Sequence, residues 1–292
     1  MTRLVPASRG GLYRRSLTSI TVVGVVAASM LVSSWPATAM SDHSPSARNA
    51  FDQPASSPGP IPVTSLAGLG SIDATVTITA DGTVNGKPTQ GDLTATLTTN
   101  DEGRSKVEVT GSLLGDVVAQ VGGSALKLFR PNRLSLYAVP EGTYAVLSSL
   151  FDVCVVPEDA STAGALDQLS PQRLLTTLTS GDVARGTFVG DETLNGVAVK
   201  HYLVDGATFL AAAQASSDPD LSAFAQTLRS VSDADLYVAA DTGYPVAYQG
   251  GFSGTFDPLS FDGDLTLSAE LTSVGANTPV TVPGACDHPI SR

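Results

Sequence analysis

The chain has 292 residues, of which 28 are acidic and 16 are lysine or arginine, so its formal net charge at pH 7 is −12. A protein this acidic does not attract phosphate backbones, which excludes nucleic acid as a charge-driven partner, and anionic lipid surfaces should repel it. Aromatic residues make up only 6% of the chain, with one tryptophan, which disfavours a surface on which sugars stack.

Residues 1–39 have the features of a signal peptide. A basic segment without acidic residues precedes an apolar run from Leu17 to Val32, and Ala37-Thr38-Ala39 is a small-x-small cleavage site. The alternative is an uncleaved anchor, but a membrane span needs about 20 apolar residues and this run is shorter. We therefore expect cleavage and a protein that is secreted or held in the cell envelope outside the cytoplasm. The basic residues of the leader are Arg3, Arg9, Arg14 and Arg15.

The chain has two cysteines, Cys154 and Cys286, and neither directly follows the apolar leader. Because a bacterial lipoprotein needs a cysteine at that place, we expect a protein that is not lipidated. An even cysteine count in an exported chain predicts a Cys154–Cys286 disulfide, with two free thiols as the alternative. The cysteines and the three histidines show no metal-ligand spacing, so no metal site is expected.

Residues 40–62 are rich in serine, proline, aspartate and alanine, which predicts a disordered linker. From residue 63 onwards no further linker-like break divides the chain. We therefore predict a single domain over 63–292.

Alternating apolar and polar residues predict a series of antiparallel strands, each with one apolar and one polar face. The first strand, IDATVTIT at 72–79, is followed by the turn signals Asp81-Gly82 and Asn85-Gly86. The segments 235–240 and 244–252, joined by Asp241-Thr242-Gly243, are typical of a hairpin. The other predicted strands are 92–99, 106–111, 125–130, 134–139, 143–150, 187–191, 197–204 and 264–271.

Helices are predicted at 170–181, where Ser170 is an N-cap, and at 218–230, where Asp218 has that role. A shorter helix is predicted at 207–214. Antiparallel strands with a few helices between them indicate an α+β fold, in which the helices bury their stripes against the apolar face of the sheet. The apolar stripes are formed by Leu174, Leu175 and Leu178, and by Leu221, Phe224, Ala225 and Leu228.

No catalytic set is evident. A serine nucleophile needs a histidine base, and of the three histidines only His201 lies in a predicted strand, while no G-x-S-x-G motif surrounds a serine. GxGxxG and P-loop motifs are absent, so no cofactor is expected. The nearest group of carboxylates, Asp233, Asp235 and Asp241, does not have EF-hand spacing and is interpreted as solvated charges at strand ends. His201 and Lys200 point to opposite faces of one strand, and we interpret them as a structural histidine and a solvated lysine.

The order of the predicted elements, with E-T-L-N-G-V at 192–197, H-Y at 201–202 and D-L-Y-V-A-A-D-T-G-Y-P-V at 235–246, resembles the LppX/LprG-type lipid-carrier lipoproteins of the wider LolA-like group. The resemblance covers about 70–282. It implies a strongly curved antiparallel half-barrel with two or three helices on its concave face, and an apolar cavity between them that holds acyl chains.

The resemblance favours a non-enzymatic, monomeric carrier of a lipid or another hydrophobic ligand, as a non-lipidated secreted member of that group. The alternative function is an envelope sensor or protein-interaction module on the same fold, with an envelope protein as its partner. The alternative to a cavity is a solid core that the same apolar residues fill. The candidate cavity-lining residues are Val76, Ile78, Leu93, Leu97, Val107, Val109, Phe224, Leu228, Leu236 and Val238.

Overall fold

The computed structural model describes residues 58–66, 69–121, 130–156, 175, 178–179, 184–256 and 260–291. The predicted signal peptide lies outside the described residues, as do most of the linker, most of the predicted strand at 125–130 and most of the predicted helix at 170–181.

In the described residues the strands join into one sheet, in which neighbouring strands are antiparallel except for a short parallel pair at one edge. The strands are β1 (Gly59–Pro60), β2 (Ile72–Val84), β3 (Lys87–Thr99), β4 (Ser105–Thr110), β5 (Arg133–Val139), β6 (Gly142–Ser148), β7 (Asp152–Val156), β8 (Arg185–Leu194), β9 (Val197–Val204), β10 (Leu228–Val231), β11 (Ala234–Ala239), β12 (Pro245–Phe256), β13 (Phe261–Val274) and β14 (Ile290–Ser291).

The spatial order is β1-β8-β9-β11-β12-β13-β2-β3-β4-β5-β6-β7-β14, and β10 pairs with β12 beside this path. The helices that the structure describes in full are α1 (Leu114–Val121), α2 (Gly206–Gln214) and α3 (Pro219–Thr227), each between two strands, and a 3₁₀ helix covers Gly284–Asp287. The predicted antiparallel sheet with helices is confirmed at this level, while the half-barrel curvature and its concave helix-bearing face stay predictions. In the described part of the chain, no helix has the length and apolar character to span a bilayer.

The long hairpins follow from local sequence. Buried and half-buried residues alternate along the first eight positions of β2, as a strand with one apolar face requires. The two-residue turn from β2 to β3 is Asn85-Gly86, with φ of 51° and 75°, and Asn195-Gly196 makes the same turn between β8 and β9, with φ of 51° and 79°. Asn-Gly is favoured there because both positions of this hairpin turn need positive φ.

The two faces of the sheet bury different clusters. One face carries the main core, which extends from β9 through β11, β12, β13, β2, β3, β4 and β5 to β6 and includes residues of all three helices. The opposite face carries two small clusters. The C-terminal cluster contains Tyr137, Val139, Val146, Cys154, Val280 and Cys286, and the hairpin cluster contains Val199, Ala239 and Val246.

Helices α2 and α3 lie against β12. The ring of Phe209 in α2 is 6.4 Å from that of Phe252, and the ring of Phe224 in α3 is 5.8 Å from Phe252 and 6.2 Å from Phe256. The predicted cap of α3 is present, since the Leu221 backbone N–H donates to Asp218 Oδ1 at 3.2 Å.

The chain leaves the helical path earlier than its apolar stripe predicts. Leu228, predicted as the last residue of the α3 stripe, is the first residue of β10. A Cβ placed on Gly254 of β12 would lie 2.5 Å from the carbonyl oxygen of Thr227, so the absence of a side chain at 254 lets the end of α3 meet the sheet and pair with it. Long-range pairing therefore overrides the local helical pattern.

Pairing with the sheet begins inside the segment assigned to the linker. Gly59 and Pro60 pair with Gly186 and Arg185 at the start of β8. Ile61 is buried, and its backbone N–H donates to the carbonyl oxygen of Ala184 at 2.9 Å.

Residues 275–291, the C-terminal strap, run from the end of β13 across the β3–β4 turn to β7. The Asn277 backbone N–H donates to Ser71 Oγ at 2.8 Å, and the Asp101 backbone N–H donates to Asn277 Oδ1 at 3.1 Å. A disulfide then joins Cys286 to Cys154, and β14 pairs in parallel with β7. The predicted disulfide is thereby confirmed.

Candidate functional site

The ten residues predicted to line a cavity lie on the main-core face of the sheet or in the helix packed on it. Nine of them are buried members of the main core, and Phe224 is partly buried against it. Cross-strand pairing brings several together: Ile78 faces Leu93, and Val107 faces Leu97. Burial is common to a filled core and to a cavity wall, so the lining role stays a prediction.

Small residues interrupt this face. Ala95 on β3 faces Val76 on one side and Val109 on the other, and it has no exposed surface. Ala269 on β13 faces Tyr248 and Val76 and is likewise fully buried. A small side chain between larger ones leaves room next to the sheet that another group must occupy, because protein interiors are densely packed.

Tyr248 is the polar exception on this face. It lies on β12, its exposure is 1%, and its hydroxyl has no hydrogen-bond partner among the residues that the structure describes. Burial raises the pKa of the Tyr248 phenol. A Cβ on Gly250 would lie 2.9 Å from Tyr248 Oη and 2.8 Å from Ala234 Cβ, so the hydroxyl reaches over Gly250.

His201 lies on the face opposite the main core, since its neighbours Tyr202 and Val204 pack against that core and adjacent strand residues point to opposite faces. Its Nδ1 is 2.9 Å from Glu192 Oε1, and its Nε2 is 2.7 Å from Asp235 Oδ1. The ring stacks on Tyr237 at a centroid distance of 4.5 Å. Both ring nitrogens are therefore engaged with carboxylates, which leaves neither available to a nucleophile.

The carboxylates singled out from the sequence also have structural roles. Asp233 Oδ1 accepts from the Gly206 backbone N–H at 3.0 Å, and Asp241 Oδ1 accepts from the Thr242 hydroxyl at 3.2 Å. Asp235 binds His201. Among the described residues, no group of three or more His, Cys, Asp and Glu side chains is placed to hold a metal ion.

Sequence reasoning missed an open groove of about 690 Å³ beside the C-terminal strap. Its one arginine, Arg104, is already paired with Glu102 and Glu141. Backbone hydrogen bonding at Glu141, together with the Arg104 guanidinium, lowers the pKa of Glu141. No local pattern predicts this groove because its walls are brought together from distant parts of the chain. They are Asn100, Glu102, Arg104, Glu141, Tyr144, Asn277, Pro279, Val280, Thr281, Val282, Pro283, Cys286 and Asp287.

Comparison with known proteins gives structural neighbours only. No protein-family model and no curated protein matches the chain. A domain described as an outer-membrane lipoprotein-sorting protein from Vibrio parahaemolyticus is similar with a TM-score of 0.26 and 8% identity, over 73% of this chain and 88% of that domain.

Two further solved structures are similar over comparable lengths. A LolA superfamily protein from Nitrosomonas europaea has a TM-score of 0.23 and 7% identity, over 74% of this chain and 89% of its own. A DUF1329 family protein from Desulfovibrio piger has a TM-score of 0.21 and 10% identity, over 72% and 88%. Scores this low do not establish a shared ligand, so the function must follow from the chain's own residues.

Proposed function

We propose that this chain is an exported, non-enzymatic protein that holds a lipid or another hydrophobic ligand against the main-core face of its sheet, as a carrier in the cell envelope. In this proposal the signal peptide is residues 1–39, the linker is 40–62 with its last residues paired to β8, and the binding domain is 63–292. In this proposal the protein is not lipidated, because no cysteine directly follows the apolar leader.

The observation that carries the proposal is the sidedness of the sheet. One apolar face extends across most of the strands, and the ten residues chosen from the sequence as cavity lining belong to it or pack on it. Apolar sites bind by removing surface from water, at roughly 25 cal/mol per Å², and need few polar groups. An apolar face on which Tyr248 has the one buried, unpaired hydroxyl among the described side chains fits that kind of ligand.

The polar clusters support a binding role over an enzymatic one. His201 lies on the other face with both nitrogens bound, and the nearby carboxylates cap backbone or side-chain groups. A catalytic site needs a nucleophile or base within reach of a substrate position, whereas these described groups are paired with one another or with backbone and hydroxyl groups.

The motifs behind the family resemblance lie on paired strands and the turns that join them. E-T-L-N-G-V forms the end of β8, the Asn195-Gly196 turn and the start of β9, and D-L-Y-V-A-A-D-T-G-Y-P-V forms the β11–β12 hairpin. We propose on this basis that the chain is a non-lipidated relative of the LppX/LprG-type carriers, with their curved sheet and internal cavity.

The test is to purify the protein after export, with its disulfide formed, and to compare its mass under native and denaturing conditions. We expect a stoichiometric mass to be lost on denaturation and recovered in an organic extract as a lipid. A protein that arrives empty and also fails to take up a fluorescent fatty acid would contradict the proposal.

A second candidate, a protein-interaction module on the same fold, is favoured by one observation. Leu150 and Phe151, at the β6–β7 turn, are 97% and 64% exposed, and Phe188 and Val189 on β8 are about half exposed. The two pairs lie near opposite edges of the sheet, so each forms a small exposed apolar patch of its own. Exposed apolar patches of this kind can mark contact surfaces. An empty, non-binding protein that forms a complex with another envelope protein would support this second reading.

A further inference from the structure

Tyr248 is the one residue in the main core whose side chain brings an unpaired polar atom into it, among the residues that the structure describes. Phenylalanine would fill nearly the same volume without burying a hydroxyl, and a buried hydroxyl without a partner destabilises the folded protein. The presence of tyrosine therefore points to a partner other than the residues that the structure describes.

The described surroundings of the hydroxyl explain why none of these residues pairs with it. Tyr248 faces Leu236 on β11 and Ala269 on β13, and its hydroxyl lies above Gly250 near Ala234. These neighbours offer no side-chain acceptor. The backbone groups of β12 are engaged in ladders on both sides, with β11 and β13, so they are committed to strand pairing.

We propose that the Tyr248 hydroxyl donates a hydrogen bond to a neutral oxygen of the bound ligand, such as the carbonyl of an acyl ester, buried against the main-core face. This inference rests on the proposed function and adds a ligand class to it: an acylated lipid whose ester group sits inside, rather than a plain hydrocarbon.

The lack of buried positive charge around Tyr248, in the described part of the chain, favours a neutral ester oxygen over a charged carboxylate or phosphate as the hydrogen-bond acceptor. Among the described residues no lysine, arginine or histidine is buried, and the buried polar residues are serines, a threonine and an asparagine. A carboxylate or phosphate placed there would lose its hydration without gaining a cation, which costs far more than burying a neutral ester. Because burial raises the pKa of the phenol, Tyr248 stays protonated and acts as a donor. The charged headgroup of a lipid would then remain outside the apolar layer.

The test uses two probes that differ only in the ester: 1-decylpyrene and the methyl ester of pyrenedecanoic acid. Their affinities are measured by pyrene fluorescence for the exported wild-type protein, Tyr248→Phe and the matched control Tyr137→Phe. Tyr137 is a buried tyrosine of the C-terminal cluster, on the other face of the sheet. We expect the wild type to prefer the ester about three- to tenfold, in line with one net hydrogen bond.

In Tyr248→Phe the ester preference should vanish while the affinity for decylpyrene is kept and the melting temperature is equal or higher. Tyr137→Phe should keep the preference. Ester preference that survives in Tyr248→Phe would overturn the inference, as would an equal loss of affinity for both probes, which indicates a structural role.

Two other outcomes are also decisive. A lower melting temperature of ligand-free Tyr248→Phe would mean that a buried water or the protein pairs the hydroxyl, and would overturn the inference. Wild-type protein that binds decylpyrene but shows no ester preference overturns the inference alone, whereas wild-type protein that binds neither probe overturns the proposed function and this inference with it.

Discussion

His201 shows how a single residue can join three strands. It lies on β9, between Glu192 of β8 and Asp235 of β11, and contacts both carboxylates through its two ring nitrogens. A neutral imidazole has one N–H and so can donate to only one of them, whereas the imidazolium donates to both. The side chain is 13% exposed, so these contacts are partly shielded from water.

Replacing His201 should therefore affect stability and leave binding intact. In His201→Leu the two carboxylates lose their shared partner, and we expect the free energy of unfolding at neutral pH to fall by about 1 kcal/mol. Urea unfolding measures this effect, with the exposed neighbour Lys200→Leu as control, which should be close to neutral. Affinity for the pyrene probes should not change, because His201 lies on the face opposite the main core. A loss of probe binding in His201→Leu would contradict this placement.

Helix α2 depends on a single side chain for the cap of its first turn. It is short, with nine residues, so its first turn depends on a cap. Asp205 provides the cap: its Oδ1 accepts the Thr208 backbone N–H at 2.7 Å. Hydrogen bonds from the Thr208 hydroxyl and then from this N–H lower the pKa of Asp205 below its ordinary value of 3.8.

This lowered pKa predicts an acid-dependent contribution to stability. The stabilisation by charged Asp205 is fully present above pH 3.8 and is lost as the pH falls through the lower folded-state pKa. Asp205→Ala should lower the melting temperature at pH 7, and its difference from wild type should shrink in acid. Asp205→Asn keeps an acceptor without a charge, so it should be less harmful at pH 7 and insensitive to pH at this position. Thermal melts between pH 2.5 and 7 test this, and a constant difference for Asp205→Ala would contradict it.

An element could be predicted when residues within it specify its structure, and not when contacts with distant parts of the chain do. The β2–β3 hairpin is local, because alternation and the Asn85-Gly86 turn specify it, but the prediction of a turn at Asp81-Gly82 was wrong, since both residues lie within β2 and pair with β13. Strands were predicted at β8 and β9 without the Asn195-Gly196 turn that joins them. Helix α1 was not predicted, since Leu114–Val121 has no strong cap signal and gains its place by burying Leu114 and Val118. Strand β10 was predicted as helix because its pairing with β12 depends on Gly254, far away in the sequence.

The candidate site follows the same division. Alternation identified the residues of the apolar face, because side chains on one face share a period of two. It could not single out Tyr248, whose unpaired hydroxyl is defined by neighbours on β11 and β13, nor the groove, whose walls meet only through the C-terminal strap. Pairing of His201 with Asp235 likewise depends on the register between β9 and β11.

At the scale of the molecule, the C-terminal strap connects the middle of the sheet to its β7 edge. It covers the face of β5 to β7 opposite the main core, where Val280 and Cys286 complete the C-terminal cluster with Tyr137 and Val146. The disulfide closes a loop with a sequence separation of 132, for which the chain-entropy model gives a stabilisation of roughly 4–5 kcal/mol.

Removing this disulfide should let the C-terminal strap detach while the sheet stays folded. The double variant Cys154→Ala/Cys286→Ala should lose up to about 5 kcal/mol in free energy of unfolding. Limited proteolysis should cut first within 275–291, because without the disulfide only the C-terminal cluster, a few hydrogen bonds around Asn277 and the two-residue β14–β7 pairing hold this segment. Reduced wild-type protein is the control and should behave alike. An unchanged urea midpoint with an uncut strap would show that packing alone holds it.

The remaining whole-molecule question is whether the main-core face lines a cavity or a filled core, and Ala95 is placed to answer it. Its side chain is fully buried between Val76 and Val109, whereas Thr96, its neighbour on β3, is exposed on the other face.

If the space above Ala95 holds ligand, Ala95→Phe fills that space. We then expect affinity for decylpyrene to fall about tenfold, equivalent to roughly 1.4 kcal/mol of lost apolar burial, with an unchanged melting temperature of the ligand-free protein. In a filled core the larger ring has no room, and overpacking would instead lower the free energy of unfolding by about 1–3 kcal/mol. Thr96→Phe adds the same ring to the exposed face and should change neither quantity. Destabilisation of Ala95→Phe without any effect on probe binding would exclude the carrier reading of this face.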